Sequence, residues 1–222
     1  MLWILLFIAL LALIFGPQLW VRQVLQQYQV QRYSIPGTGA ELVEHLLRKF
    51  NLPGVKLEET QHGDHYDPVA RCVRLSAENM RGKSLTAVAT AAHEVGHAIQ
   101  HAEGMTLLLA RQPLAVFALW MQRIAQIALI STPFLLTLLP IVGRISLILI
   151  FIGIGSAALV HLVTLPVEID ASFKKALPIL KEGQYIDEED YKAVRKILTA
   201  CALTYVAGAL ASALNVLRWV RR

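Results

Sequence analysis

Ser84-Leu85-Thr86-Ala87-Val88-Ala89-Thr90-Ala91-Ala92-His93-Glu94-Val95-Gly96-His97-Ala98-Ile99-Gln100 is the stretch around which the rest of the chain has to be arranged. It is rich in Ala and apolar at Leu85, Val88, Ala89, Ala92, Val95 and Ile99, the spacing of a helix that buries most of its surface. Inside it lies His93-Glu94-Val95-Gly96-His97, an H-E-x-x-H pattern. Side chains four apart stack on one helix face, so both imidazoles reach a single ion while Glu94 stands beside it. Zinc suits such a set, because it takes nitrogen and oxygen ligands tetrahedrally and lowers the pKa of a bound water from about 15.7 to about 7. Two His and a Glu on an apolar helix without a metal would be a costly core.

Outward from this helix the chain is polar on its N-terminal side. Ile35-Pro36-Gly37-Thr38-Gly39 breaks the pattern and marks a boundary. Leu42, Val43, Leu46 and Leu47 predict a short amphipathic helix over 40–50, stopped by Asn51-Leu52-Pro53-Gly54. Residues 55–60 and 70–75 read as strands of a small sheet.

The whole chain is far more apolar than a soluble domain, with 55% hydrophobic residues and a mean hydropathy of +0.51. All 16 acidic residues lie between Glu41 and Asp190. Apolar runs at 1–21, 114–139, 145–165 and 197–217 are each long enough to cross a hydrocarbon core of roughly 30 Å. The first has neither a basic start nor a small-residue cleavage site and reads as an uncleaved anchor. The second and third form a hairpin separated by Pro140, Gly143 and Arg144, and the fourth ends in Arg218, Trp219, Arg221 and Arg222 as interfacial anchors. Gln122, Arg123 and Gln126 in the second run are expected to face protein or water. The expected fold is thus mainly α and integral to the membrane: four transmembrane helices with a small α+β zincin-like domain, residues 22–112, between the first two.

Four crossings leave 22–112 and 166–196 on one side. Most basic residues flanking the spans lie there, Arg22, Arg111, Lys174, Lys175 and Arg195 among them, so the positive-inside rule puts that side in the cytoplasm. The net charge of +5 comes from Arg beside apolar runs, not from a basic stripe, which argues against nucleic acid as a partner. Cys72 and Cys201 fall in different environments and are not expected to pair.

An open zinc site needs a third ligand. His101 continues the His face but lies about 12 Å along the axis from His93 at 1.5 Å per residue, and Gln100 and Glu103 stand where a metzincin extension needs Gly and His. Glu168, at the exit of the third span on the domain's side, is the candidate. Asp170 is expected either to accept the free ring N–H of a ligand histidine or to exchange roles with Glu168.

Asp64-His65-Tyr66-Asp67-Pro68, Leu75-Ser76, the extended Ala91 to Gln100 segment and Leu165-Pro166-Val167-Glu168-Ile169-Asp170-Ala171-Ser172 together resemble the bacterial neutral zinc metallopeptidase family known as YugP-like, over nearly the whole chain. The resemblance implies a multi-pass membrane protein, in bacteria of the inner membrane, that holds one zinc ion and hydrolyses peptide bonds. More distantly the chain is similar to HtpX-type and CaaX prenyl proteases, which take a later Glu as ligand and follow it four residues on with an Asp. Here Asp170 follows Glu168 by only two.

The expected activity is that of a gluzincin-like metalloendopeptidase, with Glu94 as general base, a peptide or membrane protein as substrate, and an extended substrate added to the 70–75 strand. His101, His161 and Tyr205 are open alternatives for supporting the oxyanion. Two rival readings exist. One is a di-iron carboxylate protein, since Glu59-Thr60-Gln61-His62 repeats the Glu-x-x-His of Glu94 to His97. The other is a non-catalytic adaptor whose zinc is closed by a fourth protein ligand.

Overall fold

The computed structural model describes residues 2–203. Helix α1 (Leu2–Gln27) leads into the polar domain. Its last turns already belong to that domain, for Val21 and Val24 are buried in the core cluster. Helix α2 (Gly39–Lys49) starts with a capping box: Thr38 accepts from the Glu41 N–H at 3.2 Å and the Glu41 carboxylate accepts from the Thr38 N–H at 2.7 Å. Leu42, Val43, Leu46 and Leu47 then form its buried stripe, as their spacing predicts.

Three strands follow: β1 (Lys56–Thr60), β2 (His65–Asp67) and β3 (Cys72–Ser76), in the spatial order β1-β3-β2. β1 runs parallel to β3 with Leu57 opposite Val73, and β2 runs antiparallel with Tyr66 opposite Val73. β3 is therefore central and both its edges are taken, so the expected addition of substrate to 70–75 fails. The strand responsible is β2, whose three residues are too few to show an alternating pattern. Asp64 and Asp67 fasten it. Asp67 accepts from the backbone N–H of Val69 and Ala70 and from Arg74. Asp64 accepts from the N–H and hydroxyl of Ser76 and from Asn79, tying the sheet to the start of α3 (Ala77–Arg81).

Ser84 caps α4 (Leu85–Ala102), accepting from the Ala87 N–H at 3.1 Å. Every residue from Leu85 to Gln100 is buried, so this helix is the axis of the domain. Helix α5 (Thr106–Leu138) and helix α6 (Pro140–Ile169) form a long hairpin joined at Leu139 alone. Pro140, Gly143 and Arg144 do not separate the two helices as expected. Pro140 opens α6, where its missing N–H costs nothing because first-turn donors have no partner within the helix.

Both helices of the hairpin are long and apolar enough to cross a membrane. Their seam is built of small residues in a fixed register. Thr132 bonds Ser146 at 2.7 Å, and a Cβ on Gly153 would lie 2.4 Å from that of Ala125. Small side chains of this kind let helices approach closely without a hydrophobic driving force. Arg123 points outward with its guanidinium over the exposed Trp120 ring, and Gln122 and Gln126 are half-buried.

Beyond Ile169 the helix continues as seven π-helical residues, Asp170–Ala176, and then α7 (Leu177–Glu182). A last helical stretch covers 191–203. Val194, Ile197, Leu198, Ala200 and Cys201 lie in the domain's core, so the opening of the expected fourth run packs against protein. The remainder of that run lies outside the described residues. No disulfide joins Cys72 and Cys201.

The π segment packs on α4 at Gly96, where a Cβ would stand 2.9 Å from the Ala171 carbonyl oxygen. The second free position of His93-Glu94-x-x-His97 is thus fixed by packing. Gly96→Val is expected to cost about 1–3 kcal/mol by overpacking, measured as a lower melting temperature of the detergent-purified protein; an unchanged melting point would contradict this contact.

Candidate metal centre

His93, Glu94 and His97 sit on one buried face of α4, exposed by 3%, 6% and 4%, and Glu168 in the last turn of α6 is 0% exposed. Contact between α4 and the residues after Glu168 brings these groups together. Oε2 of Glu168 lies 3.2 Å from Nε2 of His93 and 3.3 Å from Nε2 of His97. Among the described residues, His93, His97 and Glu168 are the group able to hold a metal ion, with ligand atoms all within 4.8 Å of one another.

The hydrogen bonds behind the imidazoles define their tautomers. Ser172 Oγ donates to the Leu198 carbonyl at 3.1 Å, so toward His93 Nδ1, 3.0 Å away, it can only accept. Gln100 donates its amide to the Val167 carbonyl and to Asp170 Oδ2, which turns its oxygen to His97 Nδ1 at 2.9 Å. Both Nδ1 atoms therefore carry the proton, and both Nε2 lone pairs converge on a carboxylate oxygen. Three acceptors aimed at one point need a cation or a proton between them, and the donor set of two imidazoles and one carboxylate is one that zinc takes.

Electrostatics agree with a site prepared for charge. Burial drives the Glu94 carboxyl above its ordinary pKa; His93 and His97 oppose this and Glu168 reinforces it. Burial would lower His97, yet the charge and hydrogen bond of Glu168 outweigh it and raise its basicity. The distal oxygen of Glu168 accepts from Arg111 Nη1 at 2.9 Å.

One expectation changes here. Asp170 reaches no ligand histidine; it holds Gln100, which holds His97, and it lies 3.5 Å from Lys174. Asp170 stands about half a turn beyond Glu168 and leaves its face, whereas Ser172, four residues on in the opening of the π segment, lies back near it. His101 is bonded to the phenol of Tyr66 at 2.7 Å, and burial pushes that phenol up to about 12. Glu59 lies on β1 and pairs with Arg81 at 2.6 Å, so the second Glu-x-x-His is not on a helix and the di-iron arrangement is not formed. Tyr205 lies outside the described residues. Gln100, Ser172 and Arg111 were missed as site residues, although the first two share helix faces with His97 and Glu168 at three and four residues' spacing.

This geometry brings together a buried His-His-Glu group able to hold a metal ion, beside a membrane-type hairpin, and the comparisons with known proteins point the same way. A family model described as "Putative neutral zinc metallopeptidase" matches residues 3–222, and the chain belongs to that family. It is 38% identical over 223 residues to the protein named "Putative membrane protease YugP" of Bacillus subtilis (strain 168), covering 99% of this chain and 96% of that one. No solved structure matches the chain.

Ser172→Ala and Gln100→Leu each remove the acceptor that orients a ligand ring. Each is expected to weaken zinc binding about 10–100-fold, measured by competition with a chromophoric chelator; wild-type affinity in both would contradict the tautomer assignment.

Proposed function

We propose that the chain is a membrane-embedded zinc metalloendopeptidase holding one zinc ion on His93, His97 and Glu168, with Glu94 as general base. The observation that carries this reading is the convergence of two imidazole Nε2 atoms and a fully buried carboxylate within 4.8 Å, next to a second buried carboxyl. Zinc bound there would polarise a peptide carbonyl and make a water acidic enough to be a nucleophile at neutral pH.

The chain's own residues supply the rest. Glu94, next to His93 on α4 and made more basic by burial, is suited to take a proton from that water and hand it to the leaving amine. The low-dielectric surroundings strengthen each of these interactions. An extended substrate is best received at the outer edge of β2, since β2 is an edge strand and its Tyr66 is bonded to His101, one turn beyond His97 on α4.

The hairpin α5–α6 supports a membrane setting, and residues 1–21 and the run at 197–217, whose opening packs in the domain, are read as the first and last of four crossings. The distribution of basic residues favours the polar domain on the cytoplasmic side of a bacterial inner membrane. A site at the foot of a membrane hairpin favours membrane proteins or their tails as substrates. The adaptor reading would require four protein ligands, and the described residues bring together three.

Purified wild type is expected to contain one zinc per chain and Glu168→Ala much less, by elemental analysis. Glu94→Gln should keep its zinc and lose cleavage of a fluorescent casein in mixed micelles by about 10²–10⁴-fold; full activity in that variant would sink the assignment of Glu94.

A further inference from the structure

The two oxygens of Glu168 face different partners. Oε2 is turned to the imidazoles at 3.2 and 3.3 Å, whereas Oε1 accepts from the guanidinium of Arg111 at 2.9 Å. Arg111 belongs to α5, an element that supplies none of the ligands, and its side chain is 19% exposed against 0% for Glu168. The pair stands at the foot of the hairpin seam that Thr132 with Ser146 and Ala125 with Gly153 define farther along.

A carboxylate can bind a metal through one oxygen or two. An ion held by two imidazoles and both oxygens has four protein atoms around it, so a water would have to enter as a fifth ligand, while one-oxygen binding leaves the fourth tetrahedral position to water and substrate. We propose that Arg111 is a positioning residue of the metal centre: by occupying Oε1 it presents Oε2 alone to the ion, keeps Glu168 a one-oxygen ligand, and so preserves the open position. Arginine suits this task because it stays charged at any pH the protein meets and its planar fork fixes the direction of donation. Because Arg111 rides on α5, the geometry of the metal centre depends on the hairpin being closed in register. This inference rests on the zinc reading above.

The test uses full-length protein in detergent. X-ray absorption on the zinc-loaded wild type is expected to fit four nitrogen and oxygen ligands at about 2.0–2.2 Å with the carboxylate carbon well outside that shell; five ligand atoms with the short zinc–carbon distance of a chelating carboxylate would overturn the proposal without any variant. Arg111→Met, which keeps the apolar stem, is expected to weaken zinc about 10–100-fold and, loaded with cobalt(II), to show the weaker visible absorption of a five-coordinate ion. Arg111→Lys should recover most of the affinity and the wild-type spectrum. Wild-type affinity and spectrum in Arg111→Met would overturn the role, as would equal losses in both variants with an unchanged spectrum. A wild type that takes up no zinc would instead defeat the zinc reading itself.

Discussion

A carboxylate with no exposure to solvent is the constraint on which this molecule turns. Removing an ion from water costs several kcal/mol even after relaxation, unless charge and hydrogen bonds close around it. Glu168 is compensated from three directions, by His93 and His97 of α4 and by Arg111 of α5, while its own helix delivers it from the membrane-type hairpin. Removing any of the three would leave a buried charge short of partners. The domain, the hairpin and the π segment are thereby bound to one geometry, since each supplies or steers a group that Glu168 needs.

Around that centre runs an outer layer that sets which atoms are available for chemistry. Ser172 and Gln100 each spend their donors on fixed carbonyl or carboxylate acceptors and so can only accept from the imidazoles. The result is that each ring's Nδ1 faces an acceptor and its Nε2 is turned toward Glu168, without a charged group touching either ring's outer side. Asp170 contributes at one remove, through Gln100. The π segment matters here because it continues a membrane-length helix into the domain and brings Ser172 under His93 while Gly96 lets the two backbones approach.

The parts legible from the sequence were those written within one element. His93-Glu94-Val95-Gly96-His97 and the apolar stripe of α2 both follow from spacing on a single helix. Glu168 was reachable because topology left few acidic residues at the right end of a span. Residues set by contact between elements were not. Arg111 was passed over because reading a span by hydropathy stops at the first charge, whereas α5 runs as helix from Thr106 through it. Asp170 drew attention by its charge although helix geometry favours Ser172. The central position of β3 stayed hidden because its second neighbour is only three residues long.

The centre is assembled from pieces that a ribosome delivers at different times. His93 meets its carboxylate partner 75 residues later in the chain, and its proton's resting place is Ser172, itself anchored by a carbonyl 26 residues farther on. Between the first and second of these contributions lies the entire hairpin. A nascent chain emerging with α4 complete therefore carries an incomplete and chemically idle pair of imidazoles. On the function proposed above, hydrolytic competence would arrive only once both long helices have been laid down and turned back at Leu139, so that the order of synthesis would itself hold back a premature protease.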